Sequence, residues 1–118
     1  MENIAPEITR QRLLIEGFYT KAVSESEVKL FLTKLASQLN LKYYGEPIVH
    51  APGDSGKEEN EGFDAFLPLI DSGISLYVWT KAKFFAIVLF TCKDFSSQDA
   101  LDFTKEYLAV SKMVSKGF

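Results

Sequence analysis

Between residues 63 and 91 three strand-like runs follow one another with almost nothing between them: Phe63 to Ile70, Ile74 to Thr80 and Phe84 to Thr91. Their connections, Asp71-Ser72-Gly73 and Lys81-Ala82-Lys83, are too short for a crossover and admit only antiparallel hairpins. The chain is thereby committed to an antiparallel sheet at its centre. In the middle run Ile74, Leu76 and Val78 alternate with Ser75, Tyr77 and Trp79, so one face is aliphatic and the other carries polar tips able to line a pocket.

The flanking sequence supplies what that sheet needs for cover. Arg12 to Tyr19 reads as a first strand, in which Gly17 marks a bulge or a close approach. Ser24 and Glu27 form a capping box, with Val23 and Val28 placed as a hydrophobic staple. Val28, Phe31, Leu32, Leu35 and Leu39 then recur at helical spacing, which predicts a helix over about Glu25 to Leu39 closed by a left-handed Asn40. A short strand, roughly Lys42 to Val49, is weakened by Gly45 and Pro47. Ala51 to Gly62 is polar, rich in turn residues and without a period, which fits either a lid over a pocket or a plain solvated loop. Its Gly53-Asp54-Ser55-Gly56-Lys57 fragment lacks the spacing and the following hydroxyl residue of a phosphate loop. Ser97 to Lys116 reads as a final helix, begun by Ser96 and Asp99, lined by Ala100, Leu101, Thr104, Tyr107 and Leu108, and stopped at Gly117. The expected fold is α+β: a two-layer sandwich, an antiparallel sheet with two helices on one face.

Two helices cannot cover both faces of such a sheet. Phe63, Tyr77, Trp79 and Phe85 are the aromatic residues expected on the uncovered side, which predicts a homodimer packing sheet against sheet; the plainer alternative places some of these rings in the core. With 118 residues, 47% of them hydrophobic, the chain suits a single domain spanning 1–118. A formal net charge of -3 gives no basic field for nucleic acid or an anionic membrane surface. One cysteine allows no internal disulfide, and Met1-Glu2-Asn3 lacks the start of a signal peptide, so a cytoplasmic location is expected. The longest apolar run, Phe84 to Phe90, suits a buried strand rather than a membrane span.

The central hairpins also carry the candidate chemistry. Asp71-Ser72-Gly73, then Tyr77-Val78-Trp79-Thr80, then Phe90-Thr91-Cys92 set an acidic residue and a serine five residues before a tyrosine and twenty before the only cysteine. This pattern resembles the S-adenosylmethionine decarboxylase proenzymes of bacteria and archaea, and the resemblance extends from Arg12 to the last helix. That family has Glu-Ser-His at its processing site, a second histidine five residues after the serine in a His-Thr-Trp-Pro context, and Phe-Thr-Cys ending twenty residues after it. Serine, tryptophan and cysteine coincide here without a gap.

The resemblance implies that the Ser72 hydroxyl attacks the Asp71 carbonyl and that the chain cleaves itself between Asp71 and Ser72. Ser72 would then become a pyruvoyl cofactor, an electron sink for decarboxylation, with Cys92 as proton donor to the product. A small-molecule ligand related to S-adenosylmethionine and a place in spermidine biosynthesis follow from the same resemblance. The departures fall on the demanding positions. Tyr77 replaces the processing histidine, and a phenol, ionising near ~10 against ~6.5 for an imidazole, is a poor base at neutral pH. Gly73 replaces the other histidine, Asp64 stands where the family has a small hydroxyl residue, and Lys81 replaces an acidic residue.

Each candidate has a plain structural alternative. Asp-Ser-Gly is a good hairpin turn in itself. A lone cysteine ending a buried strand is a common core residue, with only Lys93 close by in sequence to lower its pKa. His50, the single histidine, answers a family histidine at the end of the second strand or is a surface residue, and with scattered acids it makes no metal site. Two functions remain: a divergent member that is not self-processed and acts as a binding or regulatory subunit, or an active pyruvoyl-dependent decarboxylase of S-adenosylmethionine or a related amino acid.

Overall fold

In the computed structural model, residues 1–51 and 61–118 are described. Strand β1 (Gln11–Tyr19) leads through helix α1 (Glu25–Gln38) to strands β2 (Ile48–His50), β3 (Gly62–Leu69), β4 (Ser72–Trp79) and β5 (Phe84–Thr91). Helix α2 (Ser97–Tyr107) and strand β6 (Val110–Gly117) complete the chain. The six strands form one antiparallel sheet in the order β2-β3-β4-β5-β1-β6, and both helices cover the same face, as expected.

Strand alternation decides what is buried. Leu13, Ile15, Leu67, Leu69, Ile74, Leu76, Val78, Phe85, Ile87 and Leu89 all point to the helices and meet Val28, Phe31, Leu32, Leu35, Ala100 and Leu108 in one core. Each fully buried Leu, Ile or Phe contributes roughly 1.5–3 kcal/mol relative to an exposed one. Gly17 lies where a Cβ would come within 2.5 Å of the Lys112 carbonyl oxygen and 3.1 Å of the Phe85 ring, and the register of β1 on β6 shifts just after it, between Phe18 and Tyr19.

Helix α1 begins as its sequence directs. Ser24 Oγ accepts from the Glu27 amide at 3.2 Å, and Asn40 adopts φ 57° just past the end. The Glu27 carboxylate, rather than reaching back to Ser24, accepts from Lys21 Nζ at 3.4 Å and from Tyr107 Oη at 3.2 Å, tying α1 to α2. Beside this link Phe103 stacks on both Phe31 and Tyr107, whose own rings meet at a tilt. Burial, the hydrogen bond to Glu27 and its charge push the Tyr107 phenol up.

Several expectations are corrected. The final element is not one helix over Ser97 to Lys116: α2 stops at Tyr107, Ala109 turns the chain at φ 49°, and β6 runs back along β1 to end at Gly117. The backbone groups on the free edge of β1 outweigh the local periodicity. The strand over Lys42 to Val49 shrinks to β2, with one isolated bridge between Tyr43 and Leu69. The first hairpin turns on Ile70 and Asp71, the latter at φ 67°, while Ser72 and Gly73 are already in β4, Ser72 paired with Leu69. The expected lid or loop falls, but for its ends, on residues 52–60, outside those described. Phe63 and Phe85 face the helices, Phe85 fully buried; the uncovered face carries Phe18, Phe66, Phe84 and Phe90 beside Tyr77 and Trp79. Phe18, Phe66, Tyr77 and Phe90 remain 43%, 39%, 39% and 40% exposed, so the face is more aromatic than its sequence suggested.

Candidate functional site

The strand register sorts the candidate residues into two places. At one end of the sheet the tight turn brings Asp71 to its tip and starts β4 at Ser72, whose register partner Thr91 closes β5. Cys92 is therefore the next residue to pass over Ser72. The Cys92 amide donates to Ser72 Oγ at 2.9 Å, and the Ser72 hydroxyl donates to the Asp71 carbonyl. Ser72 and Cys92 are each partly buried, Asp71 is exposed, and the Cys92 thiol is free. The structure thus joins Asp71, Ser72 and Cys92 in one corner.

Tyr77 and Asp64 lie elsewhere. They are register partners of each other, and His50 is the partner of Asp64 on its other side. The row continues through Ala86 and Glu16 to Val114, all on the uncovered face. An open cleft of about 290 Å³ here is lined by Ile48, His50, Asp64, Ala65, Phe66, Ser75 and Tyr77. Five residues of extended strand, at about 3.3 Å each, separate Tyr77 from Ser72 by roughly 17 Å, and the two side chains point to opposite faces. Within one chain the phenol cannot serve the serine.

Gly73 borders both places. A Cβ there would come within 2.6 Å of the Phe66 ring, so an aromatic ring from β3 already lies over the position. Lys81 is exposed in the turn between β4 and β5, away from both places.

Sequence reasoning missed three neighbours: Glu16 in the row of Asp64, Phe66 over Gly73, and Gln11, which grips the segment after Cys92. Only the strand register reveals the first two. The corner can hold a hydroxyl against the carbonyl before it; the cleft offers a carboxylate, an imidazole, a phenol and a hydroxyl on an apolar floor, a set suited to a small ligand with a cationic or hydrogen-bonding group. Among the described residues no group of three or more His, Cys, Asp or Glu could hold a metal ion, and no helix is long and apolar enough to cross a membrane.

Comparison with known proteins agrees with this architecture. A family model described as S-adenosylmethionine decarboxylase matches residues 4–117. Among solved structures, the adenosylmethionine decarboxylase from Aquifex aeolicus VF5 is similar, with a TM-score of 0.73 and 16% identity over 94% of this chain and 89% of that one. That likeness speaks for the fold. No curated protein matches the chain.

Proposed function

Since the chain belongs to the S-adenosylmethionine decarboxylase family, we propose that it is a divergent member that keeps its backbone unbroken and serves as a binding or regulatory subunit, alone or beside an active relative. The observation that carries this reading is the company of Ser72. Both partners of its hydroxyl, the Asp71 carbonyl and the Cys92 amide, are backbone groups, and neither can remove a proton from Cα. At the two positions where the family has imidazoles, Gly73 has no side chain and Tyr77 points into the other face. The family is pyruvoyl-dependent in general; here the serine fits as precursor and the base does not. What the chain retains is a ligand cleft, with Asp64 and Tyr77 as its polar wall, and an aromatic face suited to a second copy of the chain. A ligand related to S-adenosylmethionine would set its positive charge against Asp64.

One observation favours the second reading, an active decarboxylase. The Ser72 hydroxyl already touches the peptide it would attack. Addition of Oγ to the Asp71 carbonyl carbon, cleavage of the bond to the Ser72 nitrogen and passage of the hydroxyl proton to that nitrogen would give an ester with a free amine.

The intact mass of freshly purified protein under denaturing conditions separates the two. We expect one 13.3 kDa species. Pieces of 71 and 47 residues, the cut before Ser72 dividing the 118 into 71 and 118 minus 71, would establish self-cleavage and overturn the proposal.

A further inference from the structure

On the helix-covered side, the end of the sheet carries three polar side chains in one row: Ser72 pairs with Thr91, and Thr91 with Gln11. The connection from β5 to α2, Cys92 to Ser96, passes over this row, and each side chain fastens it at a different point. Ser72 Oγ accepts from the Cys92 amide at 2.9 Å. Thr91 Oγ1 donates to the Lys93 carbonyl. Gln11 takes hold of Phe95 as a neighbouring strand would: its Oε1 accepts from the Phe95 amide at 3.0 Å, and its Nε2 donates to the Phe95 carbonyl at 2.9 Å. Nε2 also donates to Ser97 Oγ, at 3.2 Å, in the first turn of α2. The carboxamide thus has a partner for its oxygen and for both of its N–H groups.

We propose that Gln11 is a positioning residue for the Ser72 hydroxyl. It does not touch Ser72. It acts through the connection: with Thr91 fixed in β5 and Phe95 held by Gln11, the residues between them have little freedom, and the Cys92 amide is aimed at Ser72 Oγ. That amide engages one lone pair of the oxygen, and the hydroxyl proton is left directed at the Asp71 carbonyl. One orientation of the hydroxyl is thereby selected. The inference rests on reading Ser72 and Cys92 as one site, and it concerns the uncut chain, in which Ser72 keeps its hydroxyl.

Hydrogen exchange of the full-length protein, followed amide by amide by nuclear magnetic resonance, tests it on Gln11→Ala, Gln11→Glu, Ser72→Ala and the Gln11→Ala/Ser72→Ala pair. We expect Gln11→Ala to speed exchange of the Cys92 amide roughly tenfold, the scale of one lost hydrogen bond. Ser72→Ala should do the same, and the pair no more than either alone. Gln11→Glu keeps an acceptor for the Phe95 amide but has no donor for its carbonyl, and should rescue part of the effect. Unchanged exchange in the amides of α1 and β3 confirms that the fold is intact. Faster exchange at Phe95 with none at Cys92 would overturn the proposal, leaving Gln11 as a fastener of α2 alone. If Ser72→Ala itself leaves the Cys92 amide unchanged, the Ser72–Cys92 pairing fails instead. Should Gln11→Ala not fold, Gln11→Glu is read on both amides at once: faster exchange at Phe95 together with Cys92 supports the proposal, and anything else at Cys92 overturns it.

Discussion

Thr104 is fully buried on the inner side of α2, and its hydroxyl has no hydrogen-bond partner among the described residues. A buried hydroxyl without a partner costs about 1–3 kcal/mol, while valine has nearly the same shape. Thr104→Val is therefore expected to stabilise the protein by about 1 kcal/mol, read as a higher urea midpoint with an unchanged slope; a lower midpoint would mean that the hydroxyl is satisfied in solution. Legibility at this scale was uneven for a physical reason. The Ser72–Cys92 pairing could be anticipated because twenty residues span one hairpin and its return, which delivers the cysteine over the serine. That Tyr77 would stand beside Asp64 could not, because the register depends on a turn at Ile70 and Asp71 instead of at Asp71 to Gly73. Gln11 was invisible for another reason. Its partner Phe95 is 84 residues away, and no local pattern encodes a contact of that range.

At the scale of elements, the hairpins and α1 were readable because their signals are local: alternation, short connections and the Ser24 cap. The last element was not. Val110, Met113 and Val114 recur at three and four residues, which mimics a helix, and no glycine or proline marks the stop after Leu108. Instead Ala109 enters the left-handed region at φ 49°, held there by its carbonyl, which accepts from the Thr20 amide at 3.0 Å and Thr20 Oγ1 at 2.6 Å. That conformation is unfavourable for a residue with a Cβ. Ala109→Gly should remove the strain and raise stability by roughly 0.5–1 kcal/mol, net of the extra freedom glycine gains on unfolding. Thermal unfolding by circular dichroism checks this, and a fall in the midpoint would show that the strain at Ala109 is smaller than the entropy cost of glycine.

At the scale of the whole molecule, one face of the sheet is covered by the helices and the other is not. Four rows of side chains cross that second face, and the row from Gly73 to Arg12 has the exposed Phe90 at its centre. Sedimentation should find a dimer of twice 13.3 kDa. Phe90→Glu, which places a charge among the exposed rings of the face without touching the core, should give a monomer with unchanged secondary structure; a wild-type monomer, or a variant that stays dimeric, would remove this face as the interface. The strand order has a consequence for any cut at the tip of the first hairpin. The segment before it would hold β1, β2 and β3, and the segment after it β4, β5 and β6, yet β1 lies between β5 and β6. The two pieces would be interlaced rather than adjoining, each completing the other's sheet, and no dilution short of unfolding would part them. A nicked molecule would therefore travel and scatter as a whole one, and its history would be written in the masses of its unfolded pieces and in a melting point that depends on concentration.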